Sequence, residues 1–202
     1  MSNYIYIEIF TNIKADNFEN FVNQIKKNKY FSDCDKSKFR PESVGEFKYG
    51  KGNAYSDLDY HLSENSPFIV LTCRNLQNGW TLSLYAKDTM FSEDVSKLKE
   101  AIEIQKEIAK FFNCDVRMET EHILDGFDEG EIEEDKIYTF NILCPKNAQK
   151  YDLTKIKDAP CVIKEITEDG FLILSTHDMS EPWFSGDMAK ELRKYMYSIK
   201  KR

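Results

Sequence analysis

Long apolar runs, paired cysteines and clustered histidines are all missing from this sequence, and each absence removes a class of function. No stretch approaches the roughly 20 consecutive apolar residues of a membrane-spanning helix. The start, Met1-Ser2-Asn3-Tyr4, passes straight into an alternating pattern without a basic segment, so it does not read as a signal peptide. The five cysteines (Cys34, Cys73, Cys114, Cys144, Cys161) form an odd set with no C-x-x-C pair. Most stand in apolar, strand-like settings, where a reduced thiol behaves as a small hydrophobe. A disulfide framework is not expected, and a reducing cytoplasm suits the set. The three histidines, His61, His122 and His177, show no metal-ligand spacing, and no metal or other cofactor is expected. His177-Asp178 follows a strand and reads as a surface turn.

Catalytic motifs are equally scarce. There is no G-x-S-x-G elbow, no phosphate loop and no G-x-G-x-x-G turn after a strand, and Gly50-Lys51-Gly52 is too short to count as one. Cys144 before Pro145 and Cys161 after Pro160 have no activating neighbour in sequence, so neither reads as a nucleophile. The aromatic-and-basic pattern of RNA-binding sheets is absent, and an acidic chain opposes phosphate attraction. Tyr4, Tyr6 and Trp80 therefore read as core or interface residues. The terminal Lys200-Lys201-Arg202 complements a helix dipole and needs no ligand.

What the chain does have is material for a core. Hydrophobic residues make up 41% and aromatics 13%, enough apolar area to offset the ordering entropy of a fold. Residues 4–10 alternate, with Ile5, Ile7 and Ile9 on one side, and predict a strand. Asp16 and Glu19 suggest a helix start, followed by a stripe of Phe18, Phe21, Val22 and Ile25. Residues 31–67 carry little pattern beyond a short strand near 46–49. The run from Phe68 to Cys73, the turn Asn78-Gly79 and the run from Trp80 to Tyr85 predict a hairpin. A long helix then opens at Ser92 and Asp94, with Val95, Leu98, Ile102, Ile108 and Phe112 as its stripe, widened by Ile104 and Phe111. Residues 114–121 predict a further strand.

The later part repeats the theme. It offers a strand at 136–144, a short helical turn at 151–157, a hairpin about Glu168-Asp169-Gly170, and a helix from Asp187 to Lys200. Turn glycine, aromatic and strand recur in Asn78-Gly79-Trp80 and Asp169-Gly170-Phe171, and Phe91-Ser92-Glu93-Asp94 recurs as Phe184-Ser185-Gly186-Asp187. The expected fold class is α+β, an antiparallel sheet with helices packed on one face. Its first part is a ferredoxin-like βαββαβ unit over residues 1–124, and its second a related βββα unit over residues 136–202, the pair suggesting a degenerate duplication.

Between them lies the charge. Nine acids fall in 119–135 (Glu119, Glu121, Asp125, Asp128, Glu129, Glu131, Glu133, Glu134, Asp135), with no Lys or Arg. The other 26 acids nearly balance the 28 lysines and arginines, so the formal net charge of −7 resides in this connection, taken as residues 125–135. One reading is a solvated linker held extended by repulsion. Another is an acidic surface that steers a basic partner. A calcium loop from Asp125 fails, because Phe127 takes its third position and Lys136 its twelfth.

The functional expectation is a non-enzymatic interaction protein that binds another protein, a basic one. Asp125, Asp128, Glu129, Glu131, Glu133, Glu134 and Asp135 would steer that partner, and Trp183 and Phe184 would anchor it. In size, charge and fold class alone the chain is similar to small acidic inhibitors such as immunity proteins. The alternative expectation is an enzyme with a site between the two units, drawing on Asp57, Asp59 and His61.

Overall fold

The computed structural model describes residues 4–42, 54–57, 68–76, 78–87, 95–120, 132–178 and 186–201. The strands are β1 (Tyr4–Ile13), β2 (Phe39–Glu42), β3 (Ala54–Asp57), β4 (Ile69–Leu76), β5 (Gly79–Lys87), β6 (Asp115–Thr120), β7 (Phe140–Leu143), β8 (Ile163–Ile166) and β9 (Leu172–Ser175). The helices are α1 (Phe18–Ile25), α2 (Val95–Phe112), α3 (Pro145–Ala148) and α4 (Gly186–Ser198). Among the described residues the nine strands form one sheet in the order β2-β3-β4-β5-β1-β6-β7-β9-β8, every neighbouring pair antiparallel. β6 pairs directly with β7, so the sheet runs unbroken from the earlier part of the chain into the later one.

Strand alternation sorts side chains onto two faces. On the first face Ile5, Ile7 and Ile9 of β1, Leu82 and Leu84 of β5, Val116 and Met118 of β6, and Phe140 and Ile142 of β7 share one core. The expected stripe of α1 and the Leu98, Ile102 and Ile108 stripe of α2 pack onto it. Trp80 also turns to this side, its ring stacked on Phe21 at 4.8 Å. Ile104 joins the stripe, but Phe111 lies off it and is 51% exposed.

The second face is covered differently. Leu143 of β7 and Leu172 and Leu174 of β9 point away from the first core and pack on Leu192, Met196 and Ile199 of α4. The expectation of helices on one face is therefore corrected. α4 lies opposite α1 and α2, because Leu143 of β7 and Leu172 and Leu174 of β9 make the second side apolar there and it needs cover.

Smaller differences have local causes. Asn17, not Asp16, caps α1: its backbone is extended and its Oδ1 accepts from the Asn20 N–H at 2.9 Å. β7 is shorter than the expected 136–144 because side chains take over the backbone of the preceding residues. Asn141 Oδ1 accepts from the Tyr138 N–H, and Glu119 Oε2 accepts from the Thr139 N–H. The β2–β3 pairing was not expected from sequence, while the expected strand near 46–49 and the helix start at Ser92 and Asp94 lie outside the described residues. All five cysteines are buried and none forms a disulfide. No helix among the described residues is long and apolar enough to cross a membrane.

Candidate functional site

The middle of the second face carries charge, and the charge is buried. Glu8 of β1, Arg74 of β4, and Asp115, Arg117 and Glu119 of β6 are each at most 8% exposed. Cross-strand register lines up Ser83, Glu8, Arg117 and Asn141 in one row, and Arg74, Thr81, Phe10 and Asp115 in the next. A buried charge needs a partner, and each of these has one. Arg74 Nη2 donates to Glu8 Oε1 at 2.8 Å, and the Ser83 hydroxyl donates to the other Glu8 oxygen. Arg117 Nη2 meets Asp115 Oδ2 at 2.8 Å, while Asp115 also accepts from the Cys144 N–H and the Asn147 side-chain amide.

Arg117 does more than neutralise Asp115. Its Nε donates to the Lys136 carbonyl at 2.9 Å and its Nη2 to the Glu134 carbonyl at 3.0 Å. The backbone of Glu134 to Lys136 is thereby clamped onto the sheet. Just before it, the Glu133 N–H donates to the Tyr138 hydroxyl at 2.8 Å, and Ile132 is buried against Phe10 and Tyr138. The last residues of the acidic connection are thus fixed, and the expectation of a solvated, extended linker is corrected for residues 132–135.

Clamped in this way, the segment forms one wall of a groove of about 320 Å³. Phe10, Leu76 and Ile132 supply apolar lining, Asn12, Asn78, Thr81 and the Glu8-paired Arg74 supply polar lining, and Glu133, Glu134 and Asp135 line it as well. A second hollow of about 170 Å³, lined in part by Lys150 and Lys200, lies across the same Asn78, Glu134 and Asp135. Glu133 pairs with Lys136 at 2.9 Å. Among the described residues the Glu134 carboxylate accepts a neutral hydrogen bond, from Asn78 Nδ2 at 3.0 Å, and forms no ion pair, and Asp135 is exposed. The floor is held by a close backbone approach: Asn12 has φ +57° within the β1 irregularity, and Gly79 has φ +140°. A Cβ on Gly79 would lie 2.8 Å from the Asn12 backbone, so only glycine fits.

Of the residues singled out from sequence, Glu133, Glu134 and Asp135 are brought together at this rim. Asp125, Asp128, Glu129, Glu131, Trp183 and Phe184 lie outside the described residues, as do Asp59 and His61. Glu119, counted with the acidic run, is not a surface charge. It is 1% exposed and accepts from Thr120 N–H, Thr139 N–H and the Thr139 hydroxyl. Burial outweighs those donors and pushes its carboxyl up to about 7. Burial likewise pushes the Cys144 thiol up to about 11 and raises Cys114 and Cys161, the reverse of what a cysteine nucleophile requires. Among the described residues no group of three His, Cys, Asp or Glu side chains is placed to hold a metal ion.

Sequence reading missed Arg117 and Thr81. The available signal was the spacing Asp115, Arg117, Glu119, three charged residues at strand period on a strand whose other side is apolar. No protein-family description, curated protein or solved structure matches this chain.

Proposed function

We propose that this chain is a non-enzymatic interaction protein whose acid-rimmed groove face receives a basic partner protein, in the manner of an acidic inhibitor or immunity-type protein. The observation that carries the reading is the Arg117 clamp. A buried guanidinium uses two of its hydrogen bonds to hold the backbone of Glu134 and Lys136, which fixes the chain that carries Glu134 and Asp135 before any partner arrives, and Asn78 holds the Glu134 carboxylate. A fixed charge loses less entropy on binding than a mobile one, and an acidic rim steers a basic surface by long-range attraction. Asp125, Asp128, Glu129, Glu131 and Glu133 extend the same negative field in sequence, and Trp183 and Phe184 are the proposed anchors.

The finer fold reading belongs with this proposal. The order β4-β5-β1-β6, with α1 after β1 and α2 between β5 and β6, supports a ferredoxin-like unit. The later βββα unit then extends its sheet past β6 as a degenerate copy. Residues 125–135 are the proposed junction between units of residues 1–124 and 136–202.

The test is affinity capture from source lysate with the native chain and with a variant carrying Glu134→Gln and Asp135→Asn. The native chain is expected to enrich proteins of high isoelectric point, and the variant to lose most of that enrichment at the same salt. Equal recovery of the same proteins by both would contradict the proposal.

A further inference from the structure

We infer that the groove is a receptor for a single arginine side chain of the partner, with the Thr81 hydroxyl as an internal acceptor and the Glu134 and Asp135 carboxylates as its counter-charges. The inference rests on the proposed protein-binding role and names the group that the site would recognise.

Three observations converge on it. The first is size and lining: about 320 Å³ with Phe10, Leu76 and Ile132 among its walls suits one long side chain with an apolar stem. The second is charge. Glu8 neutralises Arg74 and Lys136 neutralises Glu133, whereas among the described residues neither Glu134 nor Asp135 pairs with a lysine or arginine. Among the described residues the groove mouth therefore carries two carboxylates without an ion pair, with Lys150 and Lys200 set around the adjoining hollow. The third is Thr81. It lines the groove on the face opposite Trp80 and Leu82, is 4% exposed, and its hydroxyl has no hydrogen-bond partner among the described residues. A buried hydroxyl left unsatisfied costs free energy in the unbound protein, and a ligand that donates to it recovers that cost.

Arginine meets these conditions together. Its methylene stem covers apolar wall, and its planar fork carries five N–H donors and no acceptor, matching a set of oxygens. Lysine offers a point charge without the fork, and a neutral side chain leaves both carboxylates unanswered.

The probe is N-acetyl-arginine methylamide, titrated into the full chain and followed by amide chemical shifts of Asn78, Thr81 and Glu134. Saturable shifts are expected, with binding about tenfold weaker for the isosteric citrulline compound, which lacks the charge. Glu134→Gln with Asp135→Asn should weaken the arginine probe to a similar degree. Thr81→Val keeps a β-branched side chain of the same shape. It should raise the denaturation midpoint by removing an unsatisfied hydroxyl, and yet weaken the probe. Equal binding of the norleucine compound would overturn the inference, leaving only an apolar hollow. So would an absence of shifts with every probe, or a Thr81→Val chain that binds arginine as tightly as the native one. The lysate capture reads a whole partner, not one side chain. If its charge dependence persists while the arginine probe fails, this inference falls and the proposed function stands.

Discussion

Arg117 is the residue on which the groove face depends, and its energetics are those of a buried ion. Taking a guanidinium out of water costs several kcal/mol, recovered only when its partners are complete. Here they are Asp115 and the carbonyls of Glu134, Lys136 and Ile142. Replacing Asp115 by Ala should therefore lower stability by about 3–5 kcal/mol, the cost of leaving the charge unanswered; urea denaturation measures it. Glu119 gives a different signature. Its carboxyl sits near 7 in the fold against an ordinary value of 4.5. Between those values the folded chain keeps a proton that the unfolded chain has released, so stability falls as pH rises from 4.5 to about 7 and then levels. The drop is about 3 kcal/mol. Glu119→Gln, although it sets an amide donor among N–H donors and loses stability overall, should flatten that slope. An unchanged slope would mean that Glu119 is not its source. At Gly79 the cost is steric: Gly79→Ala should destabilise by about 2 kcal/mol or more, since φ +140° and the Asn12 backbone both oppose a Cβ.

At the level of elements, β6 states the design of the sheet. Its Val116 and Met118 face α2, and its Asp115, Arg117 and Glu119 face the other way and are buried as well. Period-two patterning made β1 and β6 legible from sequence, the runs on either side of the Asn78-Gly79 turn made β4 and β5 legible, and the 3.6-residue stripes made α1, α2 and α4 legible. The buried charge of β6 was not, because a charged residue reads as solvated until its partner is seen. Glu8 finds Arg74 and Ser83 at sequence separations of 66 and 75 residues, which no local pattern records. β2 and β3 escaped for another reason: four residues each, with Pro41 inside β2, they offer too little alternation. Cap chemistry was half legible. The helix start was placed one residue early, and the cap belongs to Asn17. Asn17→Ala should cost about 1 kcal/mol, read from the denaturation midpoint, whereas Asp16→Ala should cost little.

Among the described residues, the sheet is covered on one face by α1 and α2 and on the other by α4 toward β7 and β9. Between α4 and the turn before β5, the second face keeps its polar rows and its groove, with the end of the acidic connection clamped along the rim. The sequence showed where the negative charge lies along the chain. It could not show that a strand residue fifteen or more positions earlier fixes the end of that run to the sheet, as Arg117 does for Glu134 and Lys136. The central claim is that this rim acts by electrostatic attraction toward a basic partner. The most direct measurement is the association rate of a captured partner across ionic strength, for the native chain and for Glu134→Gln with Asp135→Asn. The account predicts a native rate that falls steeply as salt rises, and a slower, flatter response in the variant. Identical rates with the same salt dependence in the two proteins would contradict it.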